Sequence, residues 1–189
     1  MKHPLFIWAG FCLAMALPAF ADEVWQGSSV ITFSGTSTLH DWEGKVSAKP
    51  FETRVSEDAS GKPTRIQAEV VVDATQMDTA EPKRDENIRK AMKVTDYPLI
   101  RGSINAPVNA VAADGVTPTK LPLKLTLLGK TQNVEGTVTN WKRTNDKASF
   151  DLDFELSMKE SGISVPSVLF FIRVGDAVKV HATVTLLQK

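Results

Sequence analysis

Cysteine is all but missing from this chain of 189 residues: the single one, Cys12, lies within an N-terminal apolar stretch. An oxidising compartment permits disulfides, but residues 22–189 have no thiols to join, so their stability must come from packing. Net charge is missing too. Lys plus Arg and Asp plus Glu number 22 each, so no overall field draws in nucleic acid or an anionic membrane. Beyond the N-terminal stretch the histidines are His40 and His181. Two distant imidazoles with no cysteine fall short of the three or four clustered ligands a metal site needs. There is also no apolar run of the roughly 20 residues that spanning a bilayer takes. Internal repeats, low-complexity tracts and linkers are absent, so residues 22–189 read as one domain.

What is present begins with an export signal. Lys2 and His3 precede an apolar run from Leu5 to Leu17, which Pro18 breaks. Ala19-Phe20-Ala21 then puts small residues where a signal peptidase reads, and Asp22 and Glu23 follow. This order predicts a signal peptide, residues 1–21, cleaved after Ala21, and a periplasmic mature protein. Phe11 stands where lipidation of Cys12 would need a small residue, so Cys12 is expected to leave with the leader.

Beyond Trp25 the dominant signal is alternation. Ile66, Ala68, Val70 and Val72 share one face of an extended segment, as do Phe150, Leu152, Phe154 and Leu156. Leu121 to Leu127 and Val178 to Leu186 repeat the pattern, with polar residues between the apolar ones. Period two over such lengths predicts half-buried antiparallel strands. Weaker strands are expected at 29–33, 44–55, 99–108 and 134–141. Turn residues separate them at Asp58-Ala59-Ser60-Gly61, Asp114-Gly115, Leu128-Gly129-Lys130 and Asn145-Asp146. The fold class is therefore all-β, a single antiparallel sheet of roughly eight strands closing as a barrel. The segment 78–93 departs from it. It is charged and helix-favouring, with Ile88, Ala91 and Met92 at helical spacing, and Asp96-Tyr97-Pro98 ends it.

A barrel of about eight strands either fills its interior with side chains or holds one small ligand. Its inward candidates mix large residues, such as Phe150 and Phe154, with small ones, such as Ala68 and Ala182. The pattern alone leaves both outcomes open. Catalysis has little support. His40 and Asp41 are adjacent in an extended segment and so point apart, and no strand-turn-helix motif presents a serine. The expectation is no enzyme, no metal and no cofactor. Lys83, Arg84, Arg89, Lys90 and Lys93 could neutralise a lipid phosphate at the barrel entrance. Glu81, Asp85, Glu86 and Asp96 are interleaved with them, so the segment reads as a solvated helix face. Phe170-Phe171 would line a pocket or pack in the core.

Several motifs, in order, carry a resemblance. They are Ile31-Thr32-Phe33, Leu39-His40-Asp41-Trp42-Glu43-Gly44, Val70-Val71-Val72-Asp73, Met77-Asp78-Thr79, Arg84-Asp85-Glu86-Asn87-Ile88, Tyr97-Pro98 and the stretch from Leu125 to Val134. With the closing strand, they make the chain similar to the YceI-like family, also described as polyisoprenoid-binding periplasmic proteins. The resemblance implies a lipocalin-like antiparallel barrel with a helix beside it, enclosing a long isoprenoid or related lipid, with no metal and no catalytic residues. Arg101-Gly102 stands where family members commonly have an aromatic residue, and Met92–Asp96 lacks their paired aromatics, so a different pocket shape is expected.

The function expected is thus a carrier for an apolar chain, a polyprenyl lipid or a quinone, loaded by a membrane or a protein partner and with no nucleic-acid ligand. Candidate lining residues are Val70, Val72, Leu123, Leu125, Phe150, Phe154 and Val180, with Phe33 and Trp42 at one end. The rival readings are a surface-acting module with a filled core and a small hydrolase using His40.

Overall fold

The computed structural model describes residues 22–111, 119–164 and 173–189. The signal-peptide segment, Asp114-Gly115 and Phe170-Phe171 lie outside the described residues. Among the described residues there are nine strands: β1 Glu23–Ser37, β2 Trp42–Ser47, β3 Phe51–Glu57, β4 Pro63–Asp73, β5 Leu99–Pro107, β6 Thr119–Leu127, β7 Lys130–Arg143, β8 Lys147–Ser157 and β9 Val174–Gln188, with a helix α1 at Pro82–Ala91. All described strand pairings are antiparallel, and β9 returns to pair with β1 along most of its length. The sheet therefore closes, which removes the edges an open sheet would expose.

The barrel has eight staves although there are nine strands. The segment 44–55, expected as one strand, is two. β2 pairs with the C-terminal half of β1 and β3 with its N-terminal half, so they follow each other along one edge. Pro50 explains the break, because it has no N–H to offer the ladder. The chain bends there: the Ala48 amide still donates to Ser29 of β1, whereas the Lys49 amide donates to Val71 of β4.

Turn chemistry fixes the register elsewhere. Between β6 and β7 the two loop residues, Leu128 and Gly129, have φ of 49° and 74°. Both positive values make the type I′ turn that matches strand twist. Between β3 and β4 the Asp58 carboxylate accepts from the amides of Ser60 and Lys62.

The helix is shorter than the 78–93 expected. Glu81 caps it, its carboxylate accepting from the Lys83 amide, and Pro82 opens it. It stops at Ala91 rather than at Asp96-Tyr97-Pro98, because Lys93 turns into the left-handed region at φ 46°. The approach to α1 is pinned to β2. Lys45 and Asp78 exchange backbone hydrogen bonds, and Asp85 accepts from both the amide and the hydroxyl of buried Thr79, at 2.9 and 2.6 Å.

Inside, the two halves of the barrel differ. One is filled: Trp25, Phe51, Ile66, Leu121, Leu152 and Leu186 form a continuous core, and Trp141 packs on Phe150 with ring centroids 5.8 Å apart. The other half is walled by a smaller cluster of Phe33, Val46, Val72, Met158, Val178 and Val180.

Candidate functional site

The second half encloses a cavity of about 560 Å³, within the 300–1,000 Å³ typical of small-molecule sites. Its walls come from β1, β2, β4, β5, β6, β8 and β9. The segment carrying Leu39 and His40 lies on one side, with α1 beside it.

Two glycines let aromatic rings settle against the cavity's β1–β2 wall. Phe33 on β1 stands directly opposite Gly44 on β2, and Gly35 on β1 opposite Trp42 on β2. A Cβ on Gly44 would sit 2.5 Å from the Phe33 ring, and one on Gly35 would sit 2.4 Å from the Trp42 ring. The rings therefore occupy the positions over bare backbone that side chains on Gly44 and Gly35 would take. They meet edge to face, with centroids 6.3 Å apart and planes inclined at 64°. Such a pair adds stability beyond area burial.

Six of the nine candidate lining residues surround the cavity: Phe33, Trp42, Val72, Leu125, Phe154 and Val180. The other three do not. Phe150 belongs to the filled core, Leu123 is buried there too, and Val70 packs against it. All three share the inward face with the cavity residues, but they lie further along their strands toward the filled end. Alternation reports which face a side chain takes and is blind to its depth. Reasoning from alternation also missed Met77, Met158 and Ile163, which line the cavity from outside the main strands. For Met77 the available signal was its own place in Met77-Asp78-Thr79, next to the helical spacing of Ile88, Ala91 and Met92.

The polar part of the lining comes from two segments, Ser37 to His40 and Glu81 to Asn87. Ser37 is committed to its turn: its hydroxyl donates to the His40 carbonyl at 2.7 Å and accepts from the His40 amide. It is therefore not set up as a nucleophile for the His40 ring. On α1 the charges sort themselves. Glu86 sits between Lys90 and Lys83 and does not line the cavity; hydrogen bonds from these two lysines hold its carboxyl at about 2. The Thr79 hydroxyl is the main cause of the lowered Asp85 pKa. Lys83 and Arg84 both line the cavity; Lys83 is paired with Glu86, whereas Arg84 makes no ion pair or hydrogen bond among the described residues. The basic cluster is thus split rather than uniformly solvated.

His181, on the outer face of β9, has Nδ1 2.7 Å from Asp153 and stays exposed. Among the described residues no group of three or more His, Cys, Asp or Glu side chains could hold a metal. No helix among them is long and apolar enough to cross a membrane.

The sequence profile of the YceI-like domain matches residues 23–186. No curated protein sequence matches the chain. Among solved structures, Burkholderia cenocepacia BcnA is similar in fold, at 18% identity over 84% of this chain and 95% of that one, with a TM-score of 0.63. A domain of Saccharophagus degradans, described as polyisoprenoid-binding and implicated in plant cell wall breakdown, aligns over 89% of this chain and all of its own. Its identity is 12% and its TM-score 0.65.

Proposed function

The chain belongs to the YceI-like domain family, and on that footing we propose that it is a carrier that holds one long apolar lipid, a polyprenyl chain or a quinone, in its barrel. It works in the periplasm after cleavage at Ala21, and exchanges its cargo with a membrane or a protein partner. The observation that carries this reading is the half-hollow interior: apolar walls around about 560 Å³, at the barrel end opposite a tightly filled core. The polyisoprenoid-binding description of the Saccharophagus degradans domain points the same way.

The volume sets the scale of the cargo. At about 30 Å³ for a group the size of a water or a methylene, the cavity takes roughly twenty such groups, or about four isoprene units. Each buried methylene is worth about 0.8 kcal/mol, so a chain of that length binds with few polar contacts. A longer chain extends out of the mouth.

Native mass spectrometry of the protein purified from the periplasm, followed by solvent extraction, tests the reading. A reproducible adduct released as an isoprenoid or other long-chain lipid is expected. A bare protein that also refuses prenyl lipids and quinones would leave the carrier reading without support and favour action through the outer surface.

A further inference from the structure

The lining is divided in a way that a purely apolar cargo does not require. Its polar residues all come from Ser37–His40 and Glu81–Asn87, while the strand walls behind them are apolar apart from Ser37. The face of α1 turned to the cavity repeats this division along its own length. Lys83 (paired with Glu86), Arg84 and Asn87 come first, and Ile88, Ala91 and Met92 follow toward the other end. Positions 84, 87, 88 and 91 are one helical face, since residues three and four apart are neighbours.

Arg84 and the side chains of Asn87 and His40 have no hydrogen-bond partner among the described residues. Their acidic neighbours hydrogen-bond elsewhere: Asp85 with Thr79, though it also feels the Arg84 charge, and Glu86 with Lys83 and Lys90. Glu81 is the carboxylate that lines the cavity with them, and its side chain caps the helix. Thr79 lies against Gly44, and Lys45 bridges Asp78, so α1 is held to β2 close to the turn that carries His40.

A guanidinium that shares the lining of an apolar cavity with two further donors suits an anion that the cavity's other content is tethered to. Arginine holds phosphate through paired N–H groups, and charge-assisted bonds of this kind are the strong ones. We propose that the cargo is an amphiphile with a phosphate head, held by Arg84 with Asn87 and His40, while its chain runs past Ile88 and Met92 into the barrel. This rests on the carrier reading and narrows it, favouring a prenyl phosphate over a neutral quinone or alcohol.

The test compares farnesyl phosphate, farnesol and inorganic phosphate by calorimetry on the full mature protein, on R84Q and on R89Q. Arg89 is on the same helix but does not line the cavity. The wild type is expected to prefer farnesyl phosphate to farnesol by roughly tenfold to a hundredfold, the range of a charge-assisted bond. R84Q should bring that ratio close to one, and R89Q should leave it in place. Inorganic phosphate should bind far more weakly than farnesyl phosphate. Farnesol binding without a preference, or a preference that survives R84Q, overturns the head site while the carrier reading stands. Inorganic phosphate binding as tightly as farnesyl phosphate also overturns it, since the chain then contributes nothing. If neither prenyl compound binds any form, the head site and the carrier reading fall together.

Discussion

Phe33 and Gly44 are direct partners across the β1–β2 pair, and the Phe33 ring lies where a side chain on Gly44 would begin, 2.5 Å from the Cβ position. The same Cβ would meet Thr79, whose hydroxyl and amide hold Asp85 of α1. One absent side chain thus keeps an aromatic ring against the wall, leaves the cavity open and lets the helix seat on the barrel.

Gly44→Ala should destabilise the fold by about 1–3 kcal/mol, the usual result of overpacking. It should also weaken lipid uptake, because the displaced ring has the cavity to move into. Gly102→Ala is the control. It too faces inward, opposite Val70, but its added Cβ meets nothing nearer than 4.0 Å. That substitution should be neutral or stabilise by up to about 1 kcal/mol through the unfolded chain. Urea denaturation with a fluorescent prenyl probe measures both effects.

Val180 pairs with Phe33 on one side and Phe154 on the other, and all three line the cavity. Val180→Trp should fill the space that several methylenes of the cargo would take. At about 0.8 kcal/mol for each methylene displaced, lipid affinity falls at least tenfold. The melting temperature should hold or rise, and unchanged lipid binding would show that the cargo lies elsewhere.

Leu121 is fully buried, at 0% exposure, in the filled core. Leu121→Ala should cost about 2–5 kcal/mol in stability. The folded fraction should still carry lipid at the wild-type level, because the cavity lining is untouched. Native mass spectrometry of the folded variant measures the occupancy. A lost adduct would mean that the two halves of the barrel are coupled.

Acid should loosen α1 from the barrel. The Thr79 hydroxyl holds the Asp85 carboxyl below its ordinary 3.8, so this link is whole above that value and lost as pH falls through the depressed folded one. Within α1 itself, Lys90 and Lys83 hold Glu86 at about 2 against an ordinary 4.5, so the stability this pairing lends the helix fades between about pH 4.5 and 2. The Thr79 amide resonance should therefore titrate with a midpoint under 3.8, and Asp85→Asn should abolish that inflection.

Local chemistry and alternation made much of this protein legible. Phe150 to Leu156 and Leu121 to Leu127 read as half-buried strands because period two needs no knowledge of neighbours. Leu128-Gly129 read as a turn for the same reason. The break at Pro50 was there to be read, but the apolar content on both sides of it argued for one continuous strand. The depth of each inward residue was decided by the closed barrel. Val70 and Val72 are alike in sequence, two residues apart on one face, yet one packs against the filled core and the other walls the cavity. That difference depends on what arrives from the far side of the barrel: Trp25, Phe51 and Leu121 at one end, Phe33, Val178 and Val180 around open space at the other. The splitting of the basic cluster was also a tertiary outcome, since Arg84 and Lys90 differ in which way one short helix faces once Thr79 has fixed it. The sequence by itself determined the strands, the closed fold class and the inward face, because these follow from local geometry and periodicity. Which inward residues bound a space, and which charge looks into it, is set by packing between segments far apart in the chain, and only the tertiary structure decided that.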